Sequence, residues 1–259
     1  MKRRTFLTLA GATSLAPLTL SAHAAGTGTA GRDFYLLTQY HLESEEQRKG
    51  LDGFLEGTAI PAWNRAGARP IGVFYPEKEL GPVTVLARHK SLETLALLNQ
   101  RLLAKGVALQ RGAAFLDAPA EAPAFKRMES ASLLAFSGMP RIETPVRSPG
   151  RVFQLRIYES PSIKTGQKKI EMFNTAEIRI FRKVGLNPVF FGEALSGTKL
   201  PNLTYMLVFT SAEEQAAAWK RFGADPDWQS LRAKPEYADK KILCGITNLP
   251  LKPAPYSQV

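Results

Sequence analysis

Cysteine is almost absent from this chain. The single Cys244 cannot form an intrachain disulfide, so the fold must rest on apolar cores and not on covalent staples. Histidine is nearly as scarce, with three in 259 residues. No His-x-x-x-His, Cys-x-x-Cys or acidic calcium loop occurs, and the common metal sites lack their ligand spacings. No Gly-x-Ser-x-Gly elbow is found, so an esterase reading lacks its nucleophile, and no phosphate-cradling glycine loop opens a helix. No apolar run after the first twenty residues reaches the length of a membrane span. Basic, aromatic-interleaved strands of the kind that stack on nucleic acid are missing too.

What is present begins at the N-terminus. Arg3 and Arg4 precede a mildly apolar run from Phe6 to Leu20, and Ala22-His23-Ala24 supplies a small-x-small cleavage pattern. This order predicts a twin-arginine signal peptide over 1–24, a flexible stretch over 25–32, and a soluble, periplasmic or otherwise extracytoplasmic destination. The formal charge of +11 falls to +8 without Lys2, Arg3 and Arg4. The remaining basic residues are dispersed, and Lys164, Lys168 and Lys169 read as one solvated helix face.

The chain resembles itself at an offset of 118 residues. Leu37 to Tyr40 aligns with Leu155 to Tyr158, and Ile60 to Gly67 with Ile178 to Gly185. The offset drifts later, since Pro140 and Pro250 are 110 apart. Each unit reads as strand, helix, strand, strand, helix, strand. Phe153, Leu155 and Ile157 alternate with polar neighbours, and Leu203 to Phe209 is apolar on both faces, as a covered central strand requires. Ser91 and Ser211 are predicted caps of the second helices, the first over Leu92 to Ala104. Final strands are predicted near Ala131 to Ser137 and Lys241 to Thr247. The predicted fold is α+β: two tandem ferredoxin-like βαββαβ units over 33–140 and 151–256, joined by a stiff linker at 141–150 and burying their open sheet faces against each other.

The second unit resembles the NIPSNAP family. Leu155-Arg156-Ile157-Tyr158, the helix ending at Phe181-Arg182-Lys183-Val184-Gly185, the strand to Phe209, Trp219-Lys220-Arg221-Phe222 and the Asp225-Pro226-Asp227-Trp228 corner carry the likeness. It covers about Val152 to Pro255, and more faintly Phe34 to Pro145, where the tryptophan corner is missing. The resemblance implies a dimeric α/β-barrel fold, here as a pseudo-dimer within one chain. It also implies a binding or scaffolding role, in a superfamily that includes cofactor-independent monooxygenases and haem-degrading enzymes.

The residues that could carry chemistry are few. Tyr40 and Tyr158 occupy equivalent places, Arg156 shares a strand face with Tyr158, and His41 follows the first strand. Together they are candidate cavity or ligand-binding residues, able to orient a small carboxylate or carbonyl ligand inside a barrel. The favoured reading is the plainer one, that both tyrosines pack in the core with their hydroxyls bonded to backbone while Arg156 pairs with Glu159 or Glu171, because a duplicated fold must fill its centre before it can host a ligand. Asp225-Pro226-Asp227-Trp228 reads as a helix cap over a buried ring. No catalytic residue and no metal site is expected, and the only cofactor left open is haem, through His41. The expectation is an exported, non-catalytic module binding an unknown small molecule or an envelope protein, with no nucleic-acid partner and with self-association left open. A cofactor-independent monooxygenase, oxidase or haem-handling enzyme using the barrel cavity is the alternative.

Overall fold

The computed structural model describes residues 28–104 and 106–259, so the expected leader lies outside the described residues. The first half runs β1 (Phe34–His41), α1 (Glu45–Phe54), α2 (Ile60–Arg65), β2 (Ile71–Pro76), β3 (Val83–His89), α3 (Leu92–Ala96), α4 (Leu98–Leu103), α5 (Gly106–Leu116) and β4 (Arg127–Ala135). The second runs β5 (Val152–Glu159), α6 (Ile163–Met172), α7 (Ile178–Val184), β6 (Asn187–Ser196), β7 (Asn202–Phe209), α8 (Ala212–Ala224), α9 (Pro226–Arg232), α10 (Asp239–Ile242) and β8 (Gly245–Pro253). No described helix is long and apolar enough to cross a membrane.

Local chemistry sets the same punctuation in both halves. Ser44 and Ser162 leave the strand in extended conformation, and their hydroxyls accept the N–H of Gln47 and Thr165, which opens α1 and α6. Ser91 and Ser211 do the same for α3 and α8. Each first helix then widens into a π-helical turn, Leu55–Ala59 in one half and Phe173–Glu177 in the other.

The eight strands close into one barrel in the order β1-β3-β2-β8-β5-β7-β6-β4. All neighbours are antiparallel, so β1, β2, β5 and β6 finish at the same end, called the mouth below. Tyr35, Phe74, Leu86, Leu133, Phe190 and Met206 point into the lumen and are completely buried. These side chains make the lumen a packed core. The outer face of the sheet carries two further cores, one beneath the helices of each half. All eight residues of β7 are buried, as its two-sided apolar sequence predicted.

Both seams between the halves are completed by segments that follow a final strand. Beyond the β4–β6 pairing, Phe136 N–H donates to Phe191 O at 3.0 Å and Glu143 N–H to Val189 O at 2.9 Å. Beyond the β2–β8 pairing, Ala254 N–H donates to Val73 O at 2.8 Å and Gln258 N–H to Ile71 O at 2.9 Å. The Tyr256 hydroxyl then bonds the Asp52 carboxylate, which also accepts from Tyr75 at 2.8 Å. Tyr256→Phe removes a bond to a charged acceptor, and urea unfolding should show a loss of about 1.5–3 kcal/mol.

Several boundaries differ from expectation, and β4 runs Arg127–Ala135 where a strand near 131–137 was expected. Lys241 and Ile242 end α10, with Leu243 N–H bonded to Asp239 O, and the last strand starts only at Gly245 because its register with β5 sends Leu249 and Leu251 into the lumen. The single helix expected over 92–104 is broken at Leu97 (φ −92°, ψ 4°). The unpredicted α5 follows and stacks Phe115 on Phe54, ring centroids 4.2 Å apart. Segment 141–150 has no regular structure but is tied down, since Ile142 and Val146 pack on the lumen core.

Candidate functional site

The four candidate ligand-binding residues fall in three places. Tyr40 lies beneath the first half's helices, its ring edge-on to Phe125 at 5.6 Å, and burial pushes its phenol up to about 12. His41 sits at the barrel mouth, where Nε2 lies 2.9 Å from Glu129 Oε2 and 3.4 Å from Arg127 Nη2. Only Arg156 and Tyr158 stay together. Side chains alternate along β5, and Phe153 and Leu155 occupy the lumen side. Arg156 and Tyr158 therefore face the helices of the second half, not the lumen.

There they join a polar layer. The Tyr205 hydroxyl, fully buried on β7, donates to the Tyr158 hydroxyl at 2.9 Å. Lys169 Nζ lies 3.3 Å from Glu177 Oε2, 3.4 Å from Met172 Sδ and 3.8 Å from Asp239 Oδ1. The side chains of Lys169 and Glu177 are 2% and 3% exposed. Glu177 closes the π-helical turn, a distortion common at functional sites, and Lys169 lies two turns earlier on α6. The ammonium also lies 5.2 Å from the Phe173 ring centre and 5.8 Å from that of Trp228, which offsets part of its desolvation. Burial pushes the Glu177 carboxyl up, opposed by the charge of Lys169, and burial raises the Tyr205 phenol far above its ordinary value.

Arg156 forms the outer edge of this layer. It is half-buried, and its guanidinium carbon lies 4.8 Å from the Trp219 ring centre and 5.4 Å from that of Tyr158. Neither Glu159 nor Glu171 pairs with it, because Glu159 meets Lys199 and Glu171 meets Lys168. Its buried Nε has no hydrogen-bond partner, and among the described residues no carboxylate lies within ion-pairing distance. Lys169 thus has two carboxylates beside it, the buried Glu177 and the exposed Asp239, while Arg156 has none and is the cation left to pair with an anion.

The first half carries different groups at the matching positions. Its corresponding residues are Thr38, Tyr40, Leu51 and Ala59 at the 118-residue offset, and Val85 stands across from Thr38 as Tyr205 stands across from Arg156. Only the tyrosine is shared. Lys169 also corrects the reading of a solvated lysine face, because it turns inward toward Glu177. Lys169, Glu177 and Tyr205 were not singled out from the sequence. Pairing Lys169 with Leu51 and Glu177 with Ala59 was the signal that could have found the first two.

Other concavities lie elsewhere. A groove of about 570 Å³ between α1 and α5 is lined largely by small residues such as Gly50, Gly53, Gly112 and Ala118, far from the polar layer in character. Two clefts of about 200 and 240 Å³ flank the barrel mouth. Among the described residues, no group of three or more His, Cys, Asp or Glu is placed to hold a metal ion. Haem does not fit the described histidines: His89 is completely buried, and His41 points its Nε2 at Glu129, which lines a cleft smaller than the roughly 300–1,000 Å³ typical of cofactor sites.

The NIPSNAP family model matches residues 153–258. The match lies within the second half of the chain. All five residues of the polar layer lie inside it. No curated protein matches the chain. Among solved structures, a candidate monooxygenase from Lactobacillus acidophilus is 9% identical, covering 86% of this chain and 94% of its own, with a TM-score of 0.59. One from Fusobacterium nucleatum is 5% identical over 86% and 92%, at 0.54. These two share the barrel fold with the chain. A NIPSNAP-like domain protein from Burkholderia xenovorans is 20% identical and covers 42% of this chain and 90% of its own, with a TM-score of 0.38.

Proposed function

We propose that this protein is a non-catalytic binding module of the cell envelope, whose NIPSNAP domain takes a small carboxylate or similar anion against Arg156. On this reading the two halves are tandem ferredoxin-like units imitating a dimeric α/β barrel, and the protein is exported through the Arg3-Arg4 leader. The observation that carries it is Arg156, a half-buried cation without an acid, in a layer that the first half fills with apolar and neutral residues. The guanidinium carbon lies 4.8 Å from the Trp219 ring centre, within cation–π range.

Trp219 reports on the site. Titration with benzoate should change its fluorescence saturably, and Arg156→Gln should weaken binding at least tenfold, since a charge-assisted bond is lost. Equal affinity in the two proteins would remove Arg156 from the site. A cofactor-independent oxidase or monooxygenase is a second reading, supported by the two phenols joined beside Arg156. Oxygen uptake with small quinols, lost in Tyr158→Phe, would favour catalysis over binding.

A further inference from the structure

The barrel mouth holds a second asymmetry between the halves. Thr84 on β3 and Thr204 on β7 occupy corresponding positions, one residue before Val85 and Tyr205, and both are buried. Thr204 Oγ1 donates to Asn202 Oδ1 at 3.1 Å. Two residues before Thr84 stands Pro82, which offers no side-chain acceptor, and the Thr84 hydroxyl, with the residue 0% exposed, has no hydrogen-bond partner. An unpaired buried hydroxyl is costly and needs an explanation.

It lies at a cleft of about 240 Å³. Pro76, Pro82, Pro250 and Leu249 form its apolar walls. Its rim carries the exposed carboxylates of Glu77 and Glu79 against the single ammonium of Lys78. The site therefore combines an apolar slot for one small ring, a free hydroxyl oxygen and an excess of negative charge.

We propose that this cleft is a separate binding site for a small primary amine carrying a ring or a short apolar body. Proline and leucine faces take the apolar part out of water. The ammonium has three donors and no acceptor, which suits the Thr84 oxygen and the rim carboxylates and excludes an anionic ligand.

Benzylamine, benzyl alcohol and benzoate, titrated into isotope-labelled protein and followed by amide shifts, test this. Benzylamine should give saturable shifts over 76–84 and 248–251, benzyl alcohol should bind at least fivefold more weakly, and benzoate should not shift those residues. Thr84→Val should weaken benzylamine at least tenfold while leaving the urea midpoint unchanged or higher, because it removes an unsatisfied group. Glu77→Gln combined with Glu79→Gln should weaken it as well. No saturable shift, benzoate binding there as tightly as benzylamine, or unchanged affinity in Thr84→Val would overturn the proposal; so would a destabilised Thr84→Val, since the hydroxyl would then have a structural partner. Arg156→Gln should leave the benzylamine titration unaltered, so this site and the anion site stand or fall separately.

Discussion

Lys169→Leu should destabilise the protein by about 3–5 kcal/mol, the cost of leaving a buried charge without its partner. Glu177 would be left in a site where its side chain is 3% exposed and where no described cation besides Lys169 forms an ion pair with it. The double variant Lys169→Leu with Glu177→Ala copies Leu51 and Ala59 of the first half. It should recover most of that loss, to within about 1–2 kcal/mol of the native chain, because replacing a whole buried pair by apolar residues is often close to neutral. Urea unfolding of the four proteins gives the coupling directly. If the double variant were as unstable as Lys169→Leu, the pair would be an obligatory part of the fold and the comparison between halves would lose its force.

Acid should weaken the fold through His89. The ring is completely buried, neither nitrogen has a partner, and burial pulls it down to about 4, with the charges of Arg88 and Arg101 acting in the same direction. An unfolded histidine titrates near 6.5, so between those values the unfolded state binds the extra proton. Stability therefore falls as the pH drops from about 6.5 to about 4, by up to about 3 kcal/mol, and the loss levels off below. His89→Leu should flatten that part of the profile and be no less stable at neutral pH. Urea midpoints measured at half-unit intervals would show it, and an unchanged slope in His89→Leu would assign the acid sensitivity to other groups.

The sequence made the element order and the strand faces legible because apolar periodicity is a local signal. Leu203 to Phe209 announced its burial, and Ser91 and Ser211 cap the helices expected of them, whereas the equivalent caps Ser44 and Ser162 were not singled out. Which of the two faces of β5 would look into the barrel was not legible. Alternation separates Arg156 and Tyr158 from Phe153 and Leu155, but the curvature of the closed sheet decides which set is inside. Lys169 was misread for a related reason. Its helix gains a residue in the π-helical turn, and the resulting shift in phase brings Glu177 beneath it, which a regular helical period does not anticipate. Tyr205 was hidden by its surroundings, since in a strand apolar on both faces a phenol looks like one more core residue. The late strand β8 was displaced because Thr247 and Asn248 mask an alternation that only pairing with β5 makes visible.

The two tails that finish the seams cross from one half to the other. The stretch after β4 is hydrogen-bonded to β6, and the stretch after β8 to β2. Each half thus holds an arm of its sibling, and neither possesses a complete edge by itself. Cutting the chain near Pro149 would sever one covalent link and leave both embraces in place, so the fragments should remain associated and melt together. Expressed alone, either half would present an unfinished strand border to the solvent, which is the feature that invites chains to join edge to edge.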